Sequence, residues 1–495
     1  MRRVLGQGHD IGGKYLGRVS ALKQAKWVSL APIFTSMHTN HSRILPTYCL
    51  SQYVQNSPKR LHKFQWRGLL TVAIETSCDD TSVAVLEKNS KNSAKLHFNS
   101  KITSDNRSYG GIHPINAHES HQKNLAILLH NAMERLPICE TAKNGQTNVI
   151  AVGGKLVRKP DFVTVTRGPG MRANLITGVD TAKGLAVAWQ VPLVGVNHIQ
   201  AHALTPRLVS SLNTSDVAID KGEEPSPTFP FLSLLVSGGH TILVHSRSIW
   251  DHEILAETSD IALGDMLDKS ARAILPISRI SSSSDVVYGR LLEEFVFPLH
   301  SSEHKYTPLK ASMIARDGIK DGFKWKITPP FLNPGPEGAQ KHCKELSFSG
   351  IGGKARSIMQ NFPDMSVNER RCLGKTVMTV AFEHLGSRVL SALKHADLKQ
   401  IKTLVVSGGV ASNKFLRTVL RHLLDSRGFQ SIHLDIPPPE LCTDNAAMIA
   451  WTGMEMFEAG FSSQLSAIAL KQWTIDSSCK DGGILGVNGW QKFTI

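Results

Sequence analysis

Two stretches of the chain share one plan: an apolar strand, a polar turn and a second apolar strand. The first is Leu69-Leu-Thr-Val-Ala-Ile-Glu-Thr-Ser-Cys-Asp-Asp-Thr-Ser-Val-Ala-Val-Leu86; the second is Phe231-Leu-Ser-Leu-Leu-Val-Ser-Gly-Gly-His-Thr-Ile-Leu-Val244. Short β-branched runs bounded by turn residues read as buried strands. A third such strand, Leu404-Val-Val-Ser407, breaks into Gly408-Gly409 before a helix that begins at Lys414. Between the two hairpins, Phe162-Val-Thr-Val-Thr166 closes on Arg167-Gly-Pro-Gly170, and Met171 to Trp189 repeats small and apolar residues at helical spacing. The apolar run Val191–Val196 then ends at Asn197. Strand, glycine turn, helix and strand in that order predict an α/β protein. Further helical periods cover 118–135, 287–296, 355–361 and 368–395. The polar stretches 140–160, 208–229 and 276–345 read as loops or linkers.

A chain of 495 residues buries a large core and exceeds one domain. The boundaries expected are a leader at 1–67, a first lobe at 68–207, a second lobe at 229–440 and a tail at 466–495. Helices from about 441–465 are expected to return to the first lobe. No apolar run is long enough to span a bilayer. The net charge of +15 suggests a nucleic-acid binder, but residues 1–67 hold eleven Lys and Arg against one acid, Asp10. The remainder carries 45 basic and 40 acidic residues. A basic leader rich in Ser, Thr and His is the composition of a mitochondrial transit peptide, the alternative being a disordered basic tail. Seven cysteines, odd in number and without a C-x-x-C pair, argue against a disulfide framework or a cysteine zinc site.

Candidate chemistry sits at the turns. His198 and His202 open the helix after Asn197, one turn apart, so both imidazoles share a face and suit one metal ion. The spacing alone is weak, since 21 His in 495 residues yield roughly one such pair by chance, and His300/His304 is a second. The Thr76–Thr81 turn, with Ser77, Asp79 and Asp80, offers groups suited to a phosphate or its metal, or simply makes an ordinary hairpin. Gly238 and Gly239, beside Ser237 and His240, allow close backbone approach by a ligand. The helix after Asn413 offers an anion site at its N-terminus. Asp444 stands where a helix begins, a place for a capping acid.

In order along the chain, Ile74-Glu-Thr-Ser-Cys-Asp-Asp-Thr81, Gly168-Pro-Gly170, His198-Ile-Gln-Ala-His202, Leu235-Val-Ser-Gly-Gly-His-Thr241, Gly264-Asp-Met-Leu-Asp-Lys269, Ser347-Phe-Ser-Gly350, Val406-Ser-Gly-Gly-Val-Ala-Ser-Asn413 and Cys442-Thr-Asp-Asn445 resemble the tRNA threonylcarbamoyladenosine-modifying transferases in their mitochondrial form. The resemblance spans about Leu69 to Gly460. It implies the two-lobed actin/Hsp70/sugar-kinase-like fold with duplicated β-hairpin-containing lobes. It further implies one divalent metal ion, iron or zinc, on His198, His202 and Asp444. Val236, Ser237, Gly238, Gly239 and His240 match the family's substrate loop. Asp268 and Asn413 match nucleotide contacts, and Asp79 matches an acid that serves the reaction. Threonylcarbamoyl-AMP and tRNA are the implied substrates, and a matrix homodimer the implied form.

Two departures stand out. Ile115 occupies a position where the family has Glu, and Pro276–Tyr288 lacks the family's paired glycines. Three other readings stay open: a zinc peptidase, although Ile199 and Gln200 give it no Glu beside the first His; a kinase or ATPase of the same fold; and a non-catalytic RNA-binding scaffold.

Overall fold

The computed structural model describes residues 68–493 apart from 90–91, 110, 140–147, 214–223, 282–287, 299–303, 309–315, 318–321, 332–341 and 396–397. The expected leader, 1–67, lies outside them.

Strands β1 (Leu69–Glu75), β2 (Asp80–Lys88) and β3 (Ala94–Thr103) form an antiparallel meander. A hairpin of β4 (Val149–Val152) and β5 (Lys155–Arg158) precedes β6 (Phe162–Gly168) and β7 (Leu193–Asn197). β6 joins β1 in parallel, and β7 joins β6 in parallel. The second lobe repeats this plan. β8 (Phe231–Val236), β9 (Thr241–Ser246) and β10 (His252–Thr258) form its meander. After the small pair β11 (Arg316–Asp317) and β12 (Lys326–Ile327), β13 (Glu345–Leu346) extends the β10 edge. β14 (Thr403–Ser407) then joins β8 in parallel and β15 (His433–Asp435) joins β14. Each lobe thus pairs its first strand antiparallel to the next and parallel to a later one. This bears out the duplicated two-lobe fold expected from the hairpins.

Strands covered on both faces should be continuously apolar, and β1 is: Leu70, Val72 and Ile74 enter an outer core, while Ala73 enters a middle one. The outer core of the first lobe is closed by the helices Pro114–Met133 and Arg172–Trp189. Helices that include Leu263–Ile274, Val367–Leu393 and Lys414–Ser426 enclose the second-lobe core. The middle core belongs to both sheets. It joins Val194 and Val196 to Leu235, Val244 and Val405 through the helices His198–Asn213 and Ala446–Glu458. Residues 446–456 are buried on every face, as a helix apolar all round must be. Gly453 lets it lie against β6, because a Cβ there would sit 2.0 Å from Thr164 Cγ2.

Three segments depart from the sequence reading. The first long helix starts at Pro114, capped by His113, rather than at His118; proline at the first helical position presets the backbone there. Within 140–160, read as loop, Val149–Arg158 is the β4–β5 hairpin, turned at Gly153-Gly154 with φ +55° and +76°. A two-glycine turn of that hand is a hairpin signal. Of the expected tail, 466–495, the described residues pack instead. Trp473, Ile475 and Ile484 enter the middle core, and β16 (Phe461–Ser463) pairs with β17 (Trp490–Lys492) at the edge of the first sheet. Arg167 fastens this segment, donating to Ile468 O at 2.9 Å and Asn488 O at 2.7 Å.

Candidate metal centre between the lobes

β7 delivers the chain to Asn197, whose Oδ1 accepts from the Ile199 and Gln200 amides at 3.0 and 3.1 Å. This cap fixes where the helix starts, and so where His198 and His202 stand. Their rings lie 4.7 Å apart, edge to face, and both are buried. Asp444 arrives from the opposite end of the chain, just before the Ala446–Glu458 helix. That helix is capped by Asn445, which accepts from Met448 N at 3.0 Å, so the cap role expected of Asp444 falls to its neighbour. The Asp444 carboxylate turns instead to the histidines: Oδ1 lies 3.1 Å from His202 Nε2 and 3.5 Å from His198 Nε2. One ligand atom from each residue falls within 4.8 Å of the others.

Both Nε2 atoms converge on one carboxylate oxygen, and two imidazoles with one carboxylate form a donor set suited to zinc or another first-row divalent cation with open positions. The residues therefore fit a metal. Behind His198 stands Glu75, fully buried, its Oε2 3.3 Å from His198 Nδ1. Glu75 also accepts from Ser77 N at 2.5 Å and from the Thr166 hydroxyl. A carboxylate behind a ligating imidazole fixes its tautomer and raises its basicity. Sequence reasoning assigned Glu75 no role; a lone acid inside an apolar strand was its signal.

Electrostatics follow this layout. Burial pulls the His198 imidazole down, but Asp444 and Glu75 outweigh it and push it up to about 9. Burial holds His202 below its usual value. Burial pushes the Asp444 carboxyl up, but the two histidines prevail and hold it well below the usual range. Asp79 is pushed up to about 6 by burial, with Asp80 and Asp444 adding repulsion. Lys101 ties this corner together, donating to Asp80 Oδ2 at 2.7 Å, Thr443 Oγ1 at 2.9 Å and Asp444 O at 3.4 Å.

The second lobe brings its turn to the same place. Val236 is buried at the end of β8, Ser237 Oγ accepts from His240 N at 3.0 Å, and the His240 ring lies 6.5 Å from that of His198. Burial pulls His240 down to about 4, with His198 and His202 adding to the effect, so the ring is neutral. A Cβ added to Gly238 or Gly239 would meet nothing within 4 Å. Their surface faces open space.

Asp268 and Asn413 carry helix contacts. Asp268 Oδ1 accepts from Gly289 N at 2.6 Å, and Asn413 caps its helix by accepting from Leu416 N at 2.8 Å. Ile115 is 66% exposed in the first turn of its helix. Of the second His-x3-His pair, His300 lies outside the described residues. His304 stands 3.5 Å from Glu293 and packs its ring on Phe297.

The chain is similar to known proteins over most of its length. The sequence model of the tRNA N6-adenosine threonylcarbamoyltransferase family, TsaD, matches residues 97–451. A mitochondrial tRNA N6-adenosine threonylcarbamoyltransferase of Schizosaccharomyces pombe is 35% identical over 438 residues, covering 86% of this chain and 90% of that one. The Rhizobium meliloti protein of that name is 31% identical over 417 residues, covering 83% and 96%. One from Dictyoglomus turgidum is 32% identical over 404 residues, covering 80% and 96%. With the family model matching most of the chain and these relatives covered over most of their length, the chain belongs to the tRNA N6-adenosine threonylcarbamoyltransferase family.

Proposed function

We propose that the chain transfers the threonylcarbamoyl group from threonylcarbamoyl-AMP to N6 of the adenosine next to the anticodon in mitochondrial tRNAs. The observation that carries this reading is the convergence of His198, His202 and Asp444 between an acid-bearing turn of one lobe and a glycine turn of the other. His198, His202 and Asp444 hold one divalent cation, iron or zinc. When bound, that cation supplies Lewis-acid polarisation of substrate oxygens.

The protein's own residues do the rest. N6 of the adenosine attacks the carbamoyl carbon, the bond from that carbon to the phosphate oxygen breaks, and AMP leaves with the electron pair. Asp79 accepts the N6 proton; a carboxyl raised to about 6 has the affinity for that task near neutral pH. Gly238 and Gly239 give the AMP moiety close access to backbone, with Val236, Ser237 and His240 shaping the loop. Asp268 and Asn413 support the nucleotide side through the helix starts they hold. An adenosine in a loop is open to such attack because unpaired bases splay out for protein contact.

The mitochondrial relative and the basic leader support import into the matrix, and a homodimer is the proposed form. No described helix is long and apolar enough to cross a membrane. The peptidase alternative lacks a Glu beside the first histidine: Ile199 is apolar and Gln200 donates to Ile249 O at 2.6 Å. A kinase or ATPase would leave the buried histidine pair without a task. Purified protein given tRNA and threonylcarbamoyl-AMP is expected to release AMP and yield N6-threonylcarbamoyladenosine. ATP turnover without tRNA would favour the ATPase reading instead.

A further inference from the structure

The turn that carries Asp79 is gripped by the helices packed beneath it. The Cys78 carbonyl, one residue before Asp79, accepts from two buried side chains. His121 Nε2, from the Pro114–Met133 helix, reaches it at 3.0 Å, and Asn174 Nδ2, from the Arg172–Trp189 helix, at 2.5 Å. The other His121 nitrogen, Nδ1, lies 2.8 Å from Thr81 Oγ1 on the far side of the turn. His121 and Thr81 are both 0% exposed, and Asn174 is 1% exposed.

Chemistry fixes the polarity of this bridge. A carbonyl only accepts, so Nε2 must carry the proton, and Nδ1 then accepts from the Thr81 hydroxyl. A neutral imidazole meets both demands, and burial, which pulls His121 below its usual value, favours it. The imidazole therefore spans residues 78 to 81 as a strut of fixed length, with Asp79 and Asp80 between its feet. Met171 N holds Ser77 O at 2.9 Å, and Ser104 N holds Asp79 O at 2.9 Å. Around the Asp79 carboxylate, Asn106 Nδ2 makes a long contact at 3.4 Å, and the Cys78 thiol and the Asp79 amide, both part of the held turn, supply the rest. Its direction thus follows the backbone of residues 78–79.

We infer that His121 and Asn174 are positioning residues that aim Asp79 at the transferred proton by holding the Cys78 carbonyl. This rests on the proposed role of Asp79. Neither residue touches the His198–His202–Asp444 cluster in any contact described above, so metal binding and Asp79 placement should separate.

The test compares full-length wild type, His121→Phe and His121→Gln with tRNA and threonylcarbamoyl-AMP. Phe keeps the ring volume and loses both hydrogen bonds; Gln keeps a donor and an acceptor. His121→Phe is expected to lower kcat about tenfold or more, as small misplacements of a reacting group do. Its KM for threonylcarbamoyl-AMP and its metal content should stay at the wild-type level. His121→Gln should recover most of the lost kcat. Wild-type kcat in His121→Phe overturns the inference, as does an equal loss in both variants or a loss of metal that tracks the loss of rate. A wild-type protein that makes no modified nucleoside overturns the functional reading itself, and is told apart by that measurement alone.

Discussion

The two lobes share one strand plan and part company at the turn that faces the site. Around the turn from β1 to β2 the chain places Glu75 at the end of β1, Ser77 and Asp79 in the turn, and Asp80 at the start of β2. Between β8 and β9 the same position holds Ser237, Gly238, Gly239 and His240, with no acid. One turn gathers negative charge in a buried place, raising Asp79 and anchoring His198. The other strips side chains away and keeps its histidine neutral. Duplication supplied two matching frames, and the site uses one for charge and one for access. The proposed cation ligands sit between them: His198 and His202 on one helix of the shared middle core, and Asp444 just before another.

That comparison can be broken. Asp444→Asn or His202→Ala removes a ligand from a three-ligand set, so metal content should fall to background and activity below about 1% of wild type, since catalytic sites keep three protein ligands. His304→Ala should change neither. Equal metal in the His202→Ala and His304→Ala proteins would refute the ligand assignment.

Next in size is Asp79→Asn, expected to lower kcat on the order of 10²- to 10⁴-fold, the range of general-base catalysis, with metal retained. In the wild type kcat should fall as pH drops through a value at or below about 6, because a protonated Asp79 accepts no proton. A cation beside Asp444 offsets that neighbour's repulsion and moves the limb down, not up. A limb that persists in Asp79→Asn would assign the titration elsewhere.

Glu75→Gln should weaken metal affinity roughly 10- to 100-fold, the usual effect of losing a carboxylate behind a ligand. Competition with a chelator measures it, without reference to activity.

The smallest effect sharpens the glycine side. Gly239→Ala meets open space, so it should leave Tm unchanged and raise KM for threonylcarbamoyl-AMP several-fold. Gly408→Ala is the contrast: φ there is +91° and a Cβ would lie 2.5 Å from Val236 O, so Tm should drop. A shared loss of Tm would show that both glycines serve the fold.

Much of this was legible in sequence because burial on both faces forces continuous apolar strands, and the two hairpins declare themselves that way. By spacing alone His198 and His202 were visible only as a pair, which His300/His304 matches; it was the family resemblance that joined them to Asp444 as an expected metal site. Asp444 is 242 residues from His202, and only packing of the Ala446–Glu458 helix between the sheets brings them together. The β4–β5 hairpin was missed because Gly153-Gly154 sits among lysines that read as loop. The 466–495 segment was missed because its anchors, Trp473, Ile475 and Ile484, are too widely spaced to show a period. Glu75 escaped for a further reason: it meets His198 and Thr166, both far away in sequence, and no local pattern reports that.

The most direct test of the central claim is mass spectrometry of tRNA nucleosides after incubation of purified wild type and Asp444→Asn with tRNA and threonylcarbamoyl-AMP. The account predicts N6-threonylcarbamoyladenosine with wild type, matched by released AMP, and none above background with the variant. Absence of the modified nucleoside with folded, metal-loaded wild type, or equal modification by the variant, would contradict it.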